Sequence, residues 1–272
     1  MRLVALAALF ALACAACTTN VGQNVTPPPP HVFVIVMENK SYDQALSGEF
    51  TASLASKYGL ATNYHAITHP SVPNYLAMTS GQTWAVTDDS FHVLPKRDLG
   101  SQLTDAGVSW RAYMEGLGPA GCLDSPPPYD PGHNPFAYYG GQCPPNVVPL
   151  NELGSDLAGE PSQFIWITPD DCHNTHSCPV SDGDAWLRET VHLITSSNAW
   201  KTGGILFITW DEDDGSSRDN RILTLVVTPA LGHRVSGVAY DHYSLLATIE
   251  DLLGVARLAN ATDARAMDDL VR

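Results

Sequence analysis

Four short runs along the chain are apolar on both faces: HVFVIVM (31–37), QFIWIT (163–168), GILFITW (204–210) and RILTLVVT (221–228). Continuous β-branched and aromatic residues suit central strands of a sheet covered on both sides by helices. Between them the spacing becomes helical, as in DAWLRETVHLITSS (184–197) and YSLLATIEDLLG (243–254). The latter puts Leu245, Leu246, Ile249, Leu252 and Leu253 on one face, with Gly254 just past its end as a helix stop. Strands alternating with helices predict an α/β fold: a doubly wound, mostly parallel sheet with helices on both faces, forming a three-layer sandwich.

Ligands of such sheets bind beyond the carboxyl ends of the strands, so the polar residues after each apolar run carry the information. The first run ends in VMENKSYD (36–43), the second is followed by Asp170, Asp171, His173 and His176, and the third by Asp211, Glu212, Asp213 and Asp214. Glu38-Asn39 alone reads as a capped turn, with Ser41 and Asp43 as natural capping residues. Three strand ends delivering acids, amides and imidazoles to one edge exceed what turns require. Adjacent carboxylates repel one another unless a cation neutralises them, and a hard divalent ion held by oxygens answers that need. The acidic tetrapeptide is not an EF-hand loop, because its glycine comes fifth and no glutamate closes the twelfth position.

The stretch THPSVPNYLAMTSGQ (68–82) predicts a helix beginning near Pro73-Asn74, since proline's fixed φ suits a first turn. Ser71 then stands just before a helix N-terminus. It is either a plain N-cap or a nucleophile facing a phosphate held by free N–H groups and activated by a metal.

Composition narrows the setting. Met1-Arg2 followed by LVALAALFALA reads as a secretory signal over residues 1–17, with Cys14 or Cys17 as an alternative lipid-modified first residue. Residues 18–30, ending in four prolines, read as an extended linker, and residues 31–272 as a single domain. A net charge of -15 argues against nucleic acid, and against an anionic membrane drawn by bulk charge; membrane attachment is expected only through the N-terminal anchor. Cys122, Cys143, Cys172 and Cys178 pair most economically as Cys122–Cys143 and Cys172–Cys178. A zinc site using His173 and His176 is the alternative. There is no GxSxG, HExxH, Walker A or post-strand GxGxxG motif.

MENKSYD, HPSVPNYLAMTSG, ITWDEDDG and DHYSLLATIEDLLG, in this order, resemble the bacterial phosphoesterase family of acid phosphatases and phospholipases C, within the alkaline phosphatase superfamily. The resemblance implies one divalent metal ion held by Glu38, Asn39, Ser71, Asp211 and Glu212. Glu212 departs from the aspartate more usual there. Calcium, magnesium, manganese and iron all suit these oxygens, zinc less so. Asn74 matches an asparagine near the phosphate oxygens, and His173, His176 and His242 match active-site histidines. His176 and His242 are read as catalytic, His69 and His173 as substrate contacts. Asp170 and Asp171 do not reproduce the ligand spacing of two-metal relatives. The expected function is that of an exported, monomeric, metal-dependent acid phosphatase. It would cleave small phosphate or phospholipid monoesters, phosphoinositides among them, through a phosphoserine. A phosphodiesterase or phospholipase C, and a non-catalytic exported metal-binding protein, are the competing readings.

Overall fold

A computed structural model describes residues 29–272. The expected signal, Cys14, Cys17 and most of the linker lie outside the described residues. The chain opens with β1 (Val32–Met37), α1 (Tyr42–Leu46), α2 (Glu49–Lys57), β2 (Gly59–His65) and α3 (Ser71–Ser80). Next come α4 (Leu99–Asp105), β3 (Trp110–Met114), β4 (Val147–Pro149), α5 (Leu153–Ala158) and β5 (Phe164–Thr168). The last third holds α6 (Val180–Ser196), α7 (Asn198–Lys201), β6 (Ile205–Trp210), β7 (Arg221–Val227), β8 (Arg234–Ser236), β9 (Tyr240–Asp241), α8 (His242–Leu253) and α9 (Asp268–Val271).

The strands form one sheet in the order β4-β3-β5-β1-β6-β7-β2-β8, with β9 also on β2. All six residues of β1 are buried, as its unbroken apolar run predicts, so both faces of the sheet are covered. Helix α3 packs with α8, and α2 with α6. Asp184 of α6 ties the second pair together: its carboxylate accepts from the backbone N–H groups of Phe50 and Thr51 and from the Thr51 hydroxyl, each at 2.8 Å. A side chain at Gly48 would run into that carboxylate.

Strand β7 is the exception to parallel order. It runs antiparallel to both β6 and β2, so RILTLVVT completes a hairpin with β6 rather than a crossover. The acidic residues 211–214 therefore lie in a hairpin loop at the carboxyl edge of β6. Both expected disulfides are formed, Cys122–Cys143 and Cys172–Cys178, which removes the thiolates that a zinc site would need. Among the described residues no helix is long and apolar enough to cross a membrane.

Candidate functional site

Three carboxyl-edge segments meet at Ser71. Glu38 follows β1, Asp211 and Glu212 follow β6, and Ser71 is the first residue of α3, two positions earlier in that helix than its sequence suggests. The Ser71 hydroxyl lies 3.1 Å from Glu38 Oε2 and 3.4 Å from Glu212 Oε1. Asp211 joins from the side, its Oδ1 accepting the Asn39 backbone N–H at 3.1 Å. Glu38, Asp211, Glu212 and Ser71 are all buried. Backbone strain concentrates here: Asn39, Thr175 and Asn220 adopt φ of 51°, 80° and 50°, a region costly for a β-branched threonine. The strain is held by named contacts. Thr175 donates its hydroxyl to the Glu38 carbonyl at 2.7 Å, and Asn220 donates its amide to the Thr68 carbonyl at 2.8 Å.

Burying so many acids together shapes their charge. Burial pushes the Glu38 carboxyl up, and pushes Asp211 well above the carboxylate range with help from the Glu38 charge. Glu212 rises to about 9, through burial and then the charge of Asp211. Asp211 Oδ2 is buried without a hydrogen-bond partner among the described residues, and Glu38 Oε1 has no hydrogen bond and only the His133 imidazole facing it at 3.3 Å. Orphaned, crowded carboxylate oxygens beside a hydroxyl fit a divalent cation, so the residues present suit the expected metal. Glu38, Asp211 and Glu212 are nonetheless not drawn within 4.8 Å of one another. The tighter groups at this edge are Glu115 with Asp170 and His173, and Asp130 with His133 and Asp171.

His133 belongs to the centre, and the sequence reading missed it. Its Nε2 lies 3.3 Å from Glu38 Oε1 and its Nδ1 3.4 Å from Asp171 Oδ1, while its ring stacks on Tyr75 at 5.5 Å. Burial alone would keep this imidazole neutral, but the Glu38 and Asp171 carboxylates draw its pKa up to about 10. It is the buried cation that offsets the acids. The signal was present as an isolated HNPF in the Pro- and Gly-rich loop between Gly116 and Pro149, which reads as a selectivity loop until its path is known.

The other histidines separate by position. His242, expected to be catalytic, is fully buried: its Nε2–H donates to the Asp211 carbonyl at 2.6 Å and its Nδ1 accepts from the Tyr64 hydroxyl at 3.2 Å. With both nitrogens engaged and burial pulling its pKa down to about 4, it stays neutral and props the Asp211 backbone. His69 lies 2.9 Å from Glu212 Oε2 and is partly exposed. His176 is exposed on the rim, its ring centre 6.0 Å from that of His133. His173 sits farther along the edge, donating Nδ1–H to Glu115 at 3.0 Å.

Asn74 also differs from expectation. Its amide donates to the Thr68 and Pro70 carbonyls and to Glu212, and its oxygen accepts from Ile67 and Thr68 N–H. Those bonds fix the turn that presents Ser71 and leave Asn74 no position for a phosphate oxygen. The first turn of α3 is likewise a poorer anion cradle than supposed, because Val72 N–H already donates to Asp89 at 3.0 Å and Pro73 has none.

Residues 47–256 match the Phosphoesterase family, a stretch that begins after Glu38 and Asn39. A phosphatidylinositol-3-phosphatase of Mycobacterium tuberculosis is 32% identical over 90% of this chain and 83% of its own length. An acid phosphatase of Aspergillus fumigatus is 28% identical, and there the chain spans only 55% of the relative. Among solved structures, an alkaline phosphatase superfamily protein from Vibrio parahaemolyticus superposes with a TM-score of 0.64 at 13% identity, covering 89% of this chain and 72% of that one. A phosphonate monoester hydrolase of Silicibacter pomeroyi gives 0.58 at 10%, covering 89% and 76%. At such identities the structures speak for the fold alone, which is alkaline-phosphatase-like. Taken with the motifs and the edge they occupy, these matches place the chain in the phosphoesterase family, as a hydrolase of phosphoric ester bonds.

Proposed function

We propose that the chain is an exported acid phosphatase that cleaves phosphate monoesters through a phosphoserine at Ser71. The observation that carries this reading is the Ser71 hydroxyl, buried at the start of a helix and within 3.4 Å of carboxylates from two different strand ends. A divalent cation held by Glu38, Asn39, Ser71, Asp211 and Glu212 would supply the charge that lowers the hydroxyl's pKa and offsets the phosphoryl oxygens. Ser71 passes its proton to Glu38 Oε2, its Oγ attacks phosphorus, and the bond to the alcohol breaks in line. His69, exposed at the rim with Nδ1 2.9 Å from Glu212 and Nε2 at a looser 3.4 Å from Asp213, turns Nε2 to the departing alkoxide to give it a proton, and then takes one from the water that cleaves the phosphoserine. His133 holds Glu38 and Asp171 in place, while Asn74 and His242 position Glu212 and Asp211 from behind.

The acid phosphatase name of the Aspergillus fumigatus relative supports an optimum at mildly acidic pH. Two disulfides suit an oxidising compartment outside the cytosol. The named activity of the Mycobacterium tuberculosis relative makes a phosphoinositide monophosphate the first lipid to assay. Parallel rates on p-nitrophenyl phosphate and bis-p-nitrophenyl phosphate, before and after chelation, test the reading. Monoester turnover that chelation abolishes is expected. Faster diester turnover, or activity indifferent to chelation, would overturn it.

A further inference from the structure

Among the described residues, seven buried side-chain polar atoms have no hydrogen-bond partner, and six of them are carbonyl or carboxylate oxygens. The seventh is the Tyr75 hydroxyl, a donor. Tyr75 is fully buried in α3, four residues after Ser71, so the two side chains share a face. Helical side chains lean back toward the helix start, which directs the Tyr75 ring to the Ser71 edge. The ring is held there, stacked on His133 at 5.5 Å and 18° and tilted against Trp166 at 6.4 Å. His133 in turn faces Glu38 Oε1 at 3.3 Å. Packing accounts for the ring but not for the hydroxyl, since phenylalanine would fill the same space.

The neighbours of the hydroxyl are the acids of the centre. Burial, then the charges of Glu38 and Asp211, push the phenol well above its ordinary value, so it stays a neutral O–H donor. Burial raises the Glu38 carboxyl, and the His133 charge and then the Tyr75 hydroxyl draw it part of the way back. The hydroxyl therefore faces Glu38 while making no hydrogen bond to it. A buried hydroxyl left unpaired costs stability. Tyr75 keeps one beside a carboxylate whose Oε1 also lacks a hydrogen bond, so a donor and an acceptor are orphaned together. A carboxylate oxygen has two lone-pair directions and can meet a cation while still accepting a hydrogen bond. Carboxylates that ligate metals are themselves held by such bonds.

We propose that Tyr75 is a positioning residue for the metal site: its hydroxyl donates to Glu38 when Glu38 ligates the cation, and so fixes that carboxylate as ligand and as acceptor of the Ser71 proton. The inference rests on the cation reading of the Ser71 cluster. It separates the two parts of one side chain. The ring packs the core and buttresses His133 with or without a cation, whereas the hydroxyl serves the loaded site alone.

The test compares full-length wild type with Tyr75→Phe, which deletes the hydroxyl and keeps the ring. In chelator, the urea midpoint of Tyr75→Phe should equal or exceed that of wild type, because no bond of the metal-free fold is lost. Isothermal titration with Mn²⁺, Mg²⁺ and Ca²⁺ should show cation dissociation constants raised roughly 10- to 100-fold. Turnover of p-nitrophenyl phosphate should fall at cation concentrations that saturate wild type and recover as the cation is raised, with the ester's KM unchanged once the cation saturates. A lower urea midpoint in chelator, whatever the affinity, marks a structural hydroxyl and overturns the proposal. Equal dissociation constants in the two proteins overturn it too, as does a loss of turnover that no cation concentration restores. Wild type that binds none of the three ions overturns the cation reading, and the role of Tyr75 with it. Wild type that binds them but turns over no monoester overturns the phosphatase reading and leaves the affinity comparison decisive for Tyr75.

Discussion

Cation binding at the Ser71 cluster should release protons, and the structure names their source. Without a cation, Glu212 has a pKa of about 9, so near neutral pH it carries a proton, while burial and the Glu38 charge hold Asp211 well above the usual carboxylate range. As ligands both must be ionised. Binding one divalent cation at about pH 7.5 should therefore expel at least one proton, and lowering the pH by one unit should weaken binding about tenfold or more. Isothermal titration calorimetry with Mn²⁺, Mg²⁺ or Ca²⁺, run in buffers of different ionisation enthalpy, gives the proton count as a slope. The same linkage predicts that raising free cation shifts the acid limb of the activity profile to lower pH. A slope of zero, or no saturable binding of any of these ions, would refute the argument that crowded, orphaned carboxylates mark a metal site.

Other parts of the structure give further tests. Glu250 is buried in α8, its Oε1 accepting the Leu258 N–H at 2.9 Å and its Oε2 unpartnered, and burial raises it from 4.5 to about 8. The folded state thus favours the protonated acid, with stability fully present below pH 4.5 and lost as pH rises through 8. Glu250→Gln should raise the unfolding free energy by ~2–4 kcal/mol near pH 8 and change it little at pH 4, as urea titrations would show. Asp184→Asn weakens three hydrogen bonds that hold α2 to α6, and should cost ~2–3 kcal/mol, seen as a lower urea midpoint with an unchanged slope. His133→Gln in chelator-treated protein should cost ~3–5 kcal/mol at pH 6. The raised imidazole pKa stabilises the fold below 6.5, and that contribution fades as pH rises through 10, so the penalty should shrink with it.

Periodicity made the central strands legible because burial on both faces leaves a continuous apolar run. It also exposed the site, since strands β1 and β6 each end in acids, Glu38, Asp211 and Glu212, that cap no local turn, whereas after β5 Asp170 accepts the Cys172 and His173 N–H groups of its own turn. Strand β2, GLATNYH, escaped because its half-buried positions carry Thr62, Asn63 and His65. β3 escaped because Arg111 interrupts WRAYM. The direction of β7 is not written in its residues: a short apolar strand reads alike in either sense, and only pairing with β6 shows the hairpin. The bonds that His242 and Asn74 make were illegible for a related reason. Sequence reveals which groups reach an edge, but not whether the backbone behind them has already claimed their hydrogen bonds. His133 was hidden oppositely, on a long loop that periodicity cannot place, and its importance came from the acids it meets.

The most direct test of Ser71 as nucleophile is to quench a turnover mixture in acid and locate the phosphoryl group by peptide mass spectrometry. The account predicts phosphate on the Ser71 peptide in wild type. It predicts none in Ser71→Ala, whose monoester turnover falls to background while its fold is kept. Phosphate on another residue, or undiminished turnover by Ser71→Ala, would contradict it.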